Sequence, residues 1–339
     1  MKPMTSIARR EALARTARLA LQLPVAVSAL GMTARAFAQS ADFPDKTIRL
    51  LVPFSAGGAA DVIARILASD MSASLGQSVI VENRPGASGN IAMGAVARAS
   101  SDGYTLLMGS ASIAINKALI KATPFDPQAD FTPVSLVAMV PSVLLVPGSL
   151  PVATVKELIA YAKASPDTFN YGSNGVGTTQ HLAAVMLGLR TGLNLNHVPY
   201  KGVDGLMPDL ISGRIQMSFN NVASALPHLK SGALKALAMG LPERWLALPD
   251  VPTFAEAGLA DFDVSSWVAV FAPADLSADR LSRLEASVRA SIAKPETREK
   301  ILTGGNLPVG GSAADLKSFL ATEVKHWRDA IEASGATPS

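Results

Sequence analysis

Residues 171–184 read YGSNGVGTTQHLAA, and the fold follows from how this stretch is understood. From Gly172 the spacing is G-x-x-x-x-G-T-T, that of a phosphate-binding P-loop, with Thr178 where the lysine belongs. A β-type run at 168–172 leads in, and a helical pattern at 179–190 leads out. No lysine is present to reach a phosphate, and no acidic strand end offers a magnesium partner. A dinucleotide fingerprint also fails, because Gln180 stands where its third glycine is needed. Glycines, unpaired amides, the hydroxyls of Thr178 and Thr179 and a helix N-terminus remain. Such a loop cradles a carboxylate without a cationic side chain. Hydrogen bonds to a charged group contribute about 1.5–3 kcal/mol each. Three or four would supply much of the ~8 kcal/mol of micromolar binding. His181, one turn into the helix, reads as a structural histidine.

The same strand-loop-helix order extends in both directions. Strands are expected at 47–54, 78–82, 104–109, 131–137, 142–146, 195–199, 215–220, 234–239 and 263–272. Helices are expected at 59–75, 90–99, 112–120, 154–164, 206–212, 222–230, 278–293, 296–303 and 313–334. Continuous apolar strands alternating with helices imply two parallel sheets covered on both faces, with ligand at the carboxyl ends of the strands. The expected fold class is α/β, with two doubly wound domains joined by a hinge. Residues 39–141 and 265–339 would form domain 1, and 142–264 domain 2, the 263–272 strand returning the chain to the first.

Residues 1–38 read as an export signal. Lys2, Arg9, Arg10, Arg15 and Arg18 precede an apolar stretch that ends at Ala36-Phe37-Ala38. Removing these 38 of 339 residues leaves 301, carrying 24 basic and 26 acidic side chains against 30 and 27 in the whole chain. The basic character therefore belongs to the signal and is no footprint of nucleic-acid binding. Arg9-Arg10 hints at twin-arginine export. Cysteine is absent, which excludes disulfides, thiolate catalysis and cysteine-ligated metals and suits an oxidising periplasm.

Four further loops are candidates. In PFSAGGAAD, residues 53–61, Gly57 and Gly58 permit a sharp turn into a helix N-terminus. Asp61 there either caps the turn or holds an ordered water near the ligand. In GSAS, residues 109–112, Ser110 offers a hydroxyl to a ligand or caps the helix. In VPYKGVDG, residues 198–205, Tyr200 and Lys201 face the ligand, or the lysine is merely solvated. Asn220 and Asn221, at a strand end, either bond a carboxylate or cap the next helix. Asn83-Arg84-Pro85-Gly86 reads as a structural turn after an inner strand. No G-x-S-x-G, H-E-x-x-H or nucleophile–base pair is present, and His181, His197, His228 and His326 lack metal-ligand spacing. No catalysis, cofactor or metal is expected.

Six blocks together carry a family likeness: TIRLLVPFSAGGAADVIAR, VIVENRPGASGNIA, SDGYTLLMG, NYGSNGVGTTQHLAA, HVPYKGVDGLMPDLISG and LPDVPTFAEAGL. In this order, over residues 43–333, the chain resembles the substrate-binding proteins of tripartite tricarboxylate transporters, the Bug receptors. The resemblance implies a periplasmic-binding-protein fold, two α/β domains closing on an organic acid whose carboxylate is held by backbone amides and small hydroxyls. It implies contacts from Phe54, Ser55 and Ala56, and from Ser173, Asn174, Gly177, Thr178 and Thr179, with Tyr200, Lys201 and Asn220 beside them. The family often carries acidic residues where this chain has Gln216 and Asn220, so the far end of the ligand is read differently here. A monomeric periplasmic receptor for a small organic acid, handing it to membrane transporter subunits, is the expectation. A ligand-gated sensor or a periplasmic enzyme on the same fold are the alternatives.

Overall fold

The computed structural model describes residues 43–333 except 121, 166–168, 242, 246–247, 261 and 263. The expected export signal and the last residue of the final expected helix lie outside these. The first lobe opens with β1 (Ile48–Val52), α1 (Ala59–Leu75), β2 (Val79–Asn83), α2 (Asn90–Ala97), β3 (Thr105–Ser110), α3 (Ser112–Leu119) and β4 (Phe131–Val140). The second lobe holds β5 (Ser142–Pro147), α4 (Val155–Ala164), β6 (Asn170–Ser173), α5 (Thr179–Thr191), β7 (Asn196–Pro199), α6 (Val203–Ile211), β8 (Met217–Asn221), α7 (Val222–Lys230) and β9 (Leu234–Met239). The chain then returns through β10 (Ser266–Pro273), α8 (Ala278–Ala293), α9 (Pro295–Thr303), β11 (Leu307–Pro308) and α10 (Ala313–Ala333).

The two sheets have the orders β11-β4-β10-β3-β1-β2 and β7-β6-β8-β5-β9. They are mixed rather than wholly parallel. β1 runs parallel to β2 and β3, and β6 to β7 and β8. β10, however, is antiparallel to β3 and β4, and β5 to β8 and β9. The reason is the path of the chain. β4 leaves the first lobe and β10 re-enters it, so they travel in opposite senses, as do β5 and β9 in the second. β2 is an edge strand, not an inner one.

Pro141 is the only residue between β4 and β5. Beside it, Gly240 N–H donates to Ser142 O at 2.8 Å, and the Ser265 hydroxyl donates to Gly240 O. Ser266 pairs with Val140 in the ladder. The outgoing and returning chains thus form one hydrogen-bonded ribbon at the hinge.

Each lobe has its own apolar core. In the first, Leu51, Leu107, Trp267 and Phe271 pack with Leu316, Leu320 and Trp327 of α10. Glu323 accepts both indole N–H groups, from Trp267 at 2.7 Å and from Trp327 at 3.0 Å. In the second, Leu144, Phe169, Phe219, Phe254 and Phe262 cover one sheet face, and Val143, Leu206, Leu210 and Trp245 the other. α5 bridges the two: its Ala183, Ala184 and Leu187 join the second core, while its Leu182 joins the first.

Candidate functional site

Loops leave the carboxyl ends of β1, β3 and β6, where unpaired helix amides concentrate. In the 173–178 loop, Gly175 and Gly177 have φ of +123° and +79°, a region costly for residues with a Cβ. Thr178 caps α5 by accepting from His181 N–H at 3.4 Å, and its hydroxyl donates to Gly175 O at 2.7 Å. The Ser173 hydroxyl donates to the same carbonyl at 3.1 Å and accepts from Gly175 N–H at 3.2 Å. The hydroxyls of Ser173 and Thr178 are therefore engaged in holding the shape of the loop. The α5 ladder begins with Leu182 N–H to Thr178 O, so the Thr179 and Gln180 amides have no acceptor within the helix. The donors this end of α5 offers an anion are backbone amides.

Across the cleft, Ser55, Ala56, Gly57 and Gly58 are exposed and Phe54 is half-buried. Asp61 is buried. It accepts from Gly57 N–H at 2.9 Å, from Arg65 Nε at 3.1 Å and from Asn83 Nδ2 at 2.9 Å. Of its two readings, the turn-holding one describes these contacts. Burial alone would raise the Asp61 pKa, but the bonds from Arg65, Gly57 and Asn83 outweigh it and hold the carboxyl below the usual aspartate range. Ser110 is buried at the end of β3 and accepts from Ser112 N–H at 3.4 Å. Ala111, not a serine, occupies the N-cap of α3.

The turn at 86–90 joins the two walls. A Cβ on Gly89 would lie 3.0 Å from Pro53 Cβ, so this turn packs against the first loop. Ser88, at φ +55°, donates its hydroxyl to Val176 O in the other lobe at 2.5 Å. A Cβ on Gly177 would lie 2.8 Å from Asn116 Oδ1 of α3. The lobes thus touch at the 173–178 loop. Asn116 Nδ2 is engaged by Ser88 O and Asn90 Oδ1, at 2.9 and 2.7 Å.

Several buried oxygens here have no protein partner: Asn116 Oδ1, and in the second lobe Ser142 Oγ, Asn174 Oδ1, Asn220 Oδ1 and Asn221 Oδ1. Ser142 pairs with Asn221 and Val143 with Asn220, which puts three of these groups at one end of adjoining strands. An unpaired buried polar group costs about 1–3 kcal/mol, which bonding to a ligand would relieve. Asn221 sits at the N-cap of α7 but its side chain makes no cap bond. Gln216, by contrast, is structural: it accepts from Asn170 N–H and donates to Gly213 O, both at 2.8 Å. Tyr200 donates to Asp209 at 2.8 Å, and burial together with that bond pushes its pKa up to about 12. Lys201 is exposed.

Sequence reasoning missed one cluster. Tyr171, His197 and His181 stack beneath the loop, with ring centroids 4.8 Å apart for the first pair and 4.3 Å for the second. The β6–β7 register places Tyr171 beside His197. Elsewhere, a groove of about 510 Å³ between α5 and α10 is lined by Met186, Leu189, Arg190, Lys325, His326 and Asp329. It lies away from the glycine loops and contains none of the candidate residues.

Two lobes are joined by a ribbon and meet where the 86–90 turn contacts the 173–178 loop, with glycine loops leading into helix N-termini in each. Residues 63–336 match the tripartite tricarboxylate transporter family receptor, and the chain belongs to that family. It is 34% identical over 321 residues to protein BugT of Bordetella pertussis, covering 94% of this chain and 98% of BugT. It superimposes on R. palustris Rpa4515 with adipate with a TM-score of 0.83 at 35% identity, covering 88% of this chain and all of that one. With MatC of Rhodopseudomonas palustris with bound malate the TM-score is 0.80 at 30% identity, covering 85% of this chain and all of that one.

Proposed function

We propose that this protein is a periplasmic receptor that captures a small organic carboxylate between its lobes and delivers it to a membrane transporter of the tripartite tricarboxylate type. The observation that carries this reading is the 173–179 loop. It offers neutral backbone donors at the start of α5 and has no cation of its own, opposite the exposed 55–58 loop. Relatives that share the fold at 35% and 30% identity hold adipate and malate. Phe54, Ser55, Ala56, Gly57 and Gly58 form one wall of the site and Asn174, Gly177 and Thr179 the other, with Ser173 and Thr178 shaping the loop. Asn220, with Asn221 and Ser142, reads the ligand's far end: the Asn220 and Asn221 oxygens accept from a hydroxyl, amide or protonated carboxyl there, and the Ser142 hydroxyl can donate to a carboxylate. The protein works as a monomer, is exported by residues 1–38, and catalyses nothing.

A thermal-shift panel over organic acids, including adipate and malate, tests this. A ligand at 100 times its Kd should add about 2.7 kcal/mol of stability. A panel in which neutral sugars or cationic amines raise the melting point and no carboxylate does would reject the proposal.

A further inference from the structure

We infer that His181 and His197 are positioning residues for the anion-binding loop, holding it in its ligand-competent shape, and that His181 does so only while its imidazole is neutral. The inference rests on the carboxylate-receptor reading for its ligand, but its geometry stands apart from it. His197 Nε2 lies 2.7 Å from the Ser173 hydroxyl, and Gly177 N–H donates to His181 Nδ1 at 3.4 Å. The two rings therefore brace both ends of the loop whose middle carbonyl, Gly175 O, collects the Ser173 and Thr178 hydroxyls.

The bond pattern assigns the protons. Ser173 gives its single hydroxyl proton to Gly175 O and accepts from Gly175 N–H, so its remaining lone pair takes a proton from His197 Nε2–H. His181 accepts at Nδ1 and so carries its proton on Nε2. Protonating His181 at Nδ1 would replace an acceptor with a donor facing Gly177 N–H. It would also place a charge within a stack of rings 4.3 Å apart. The titratable groups facing the pair are Tyr171 from β6 and the histidines themselves, from α5 and β7. Ser88 and Asn116, which meet the loop from the first lobe, are neutral. Tyr200, next after β7, turns its hydroxyl to Asp209. Burial, and then His197, push the His181 pKa down to about 4, and burial lowers that of His197. Among the described residues no carboxylate stabilises either cation, so both rings stay neutral at ordinary pH.

The test uses the mature protein and four variants. His181→Leu and His197→Leu remove the braces. His181→Asn and His197→Gln keep a neutral polar atom near Nδ1 and Nε2 respectively. Adipate and malate affinities are measured by calorimetry from pH 7.5 to 3.5, across the His181 titration, and exchange of the Gly175 and Gly177 amides by NMR without ligand. The Leu variants should bind about ten-fold more weakly and lose protection at these amides. Both the Asn and Gln variants should retain binding at pH 7.5, and His181→Asn should lose less of it in acid than the parent; the probe's own titration is common to all and cancels. Amide protection unchanged in the Leu variants would overturn the inference even if neither acid binds, which separates its failure from that of the carboxylate reading. So would Asn and Gln variants as impaired as the Leu ones, or a His181→Asn pH profile identical to the parent's.

Discussion

The Ser88 hydroxyl donates to the Val176 carbonyl at 2.5 Å, a hydrogen bond that crosses from one lobe to the other. It ties the 86–90 turn to the tip of the 173–178 loop. Because it can form only when the lobes are together, it favours the closed population and so raises apparent affinity. An exposed neutral bond contributes about 0.5–1.5 kcal/mol. Ser88→Ala should weaken ligand binding by roughly 2- to 12-fold, mainly through faster release, with little change in the unliganded melting point. Stopped-flow dissociation rates equal to the parent's would remove Ser88 from the closing contacts.

Gly177 faces the same junction. At φ +79° an alanine is strained by about 1–2 kcal/mol, and its Cβ would sit 2.8 Å from Asn116 Oδ1 in the opposite lobe. The strain acts in every state, whereas the clash arises only on closure. Gly177→Ala should therefore lower stability through the strain and, separately, lower affinity through the clash. Paired thermal melts and calorimetry measure the two, and an unchanged affinity beside a lowered melting point would show that the lobes do not meet here when the ligand binds.

Asp61 organises the first wall by holding Gly57 N–H, Arg65 and Asn83. Asp61→Ala leaves those donors unpaired and should cost about 1–3 kcal/mol at pH 7. Its carboxyl is held below the ordinary aspartate range, so the stability it contributes is complete above that range and drains away as pH falls through the lowered value. Denaturant unfolding of parent and variant should differ at pH 7 and converge in strong acid. A difference that is the same at both pH values would mean that the charge contributes nothing.

Glu323 serves two buried indoles at once, those of Trp267 and Trp327. Glu323→Ala strands two donors, at about 1–3 kcal/mol each. The expected loss is therefore about 2–6 kcal/mol of unfolding free energy, with Glu323→Gln less costly because it keeps an acceptor. Equal losses for the two variants, read from urea midpoints, would point to packing rather than hydrogen bonding.

Much of the fold was legible because glycine loops and helix starts are local signals. The strand-loop-helix order around 171–184 needed only chemistry carried by neighbouring residues. Strand direction did not. All six residues of β5 are buried, which reads like an inner parallel strand, yet β5 runs antiparallel to both neighbours. Burial on both faces records cover by helices, not the sense of the chain. β2 likewise looked internal, but its position at the sheet edge depends on pairing. In the site, the hydroxyl of Thr178 was visible as a donor, but its commitment to Gly175 O depends on loop shape. The imidazole pair was hidden for a related reason: His181 and His197 sit on different elements and meet only through the β6–β7 register. The partnerless Asn220 and Asn221 oxygens depend on the burial of a whole strand end.

The ribbon at Val140–Ser142 and Gly240–Ser266 has a mechanical consequence. The outgoing chain, held at Ser142 by Gly240 after β9 and at Val140 by Ser266 at the start of β10, flexes readily out of plane and resists sliding past these returning segments. Such a strap leaves the lobes one soft rotation and stiffens the rest. The two walls then approach along a fixed arc, like the jaws of a caliper, and molecules of different length meet the same jaws at different angles. Selectivity for length is in that case written into the bending stiffness of a few backbone bonds, far from any atom that touches the ligand.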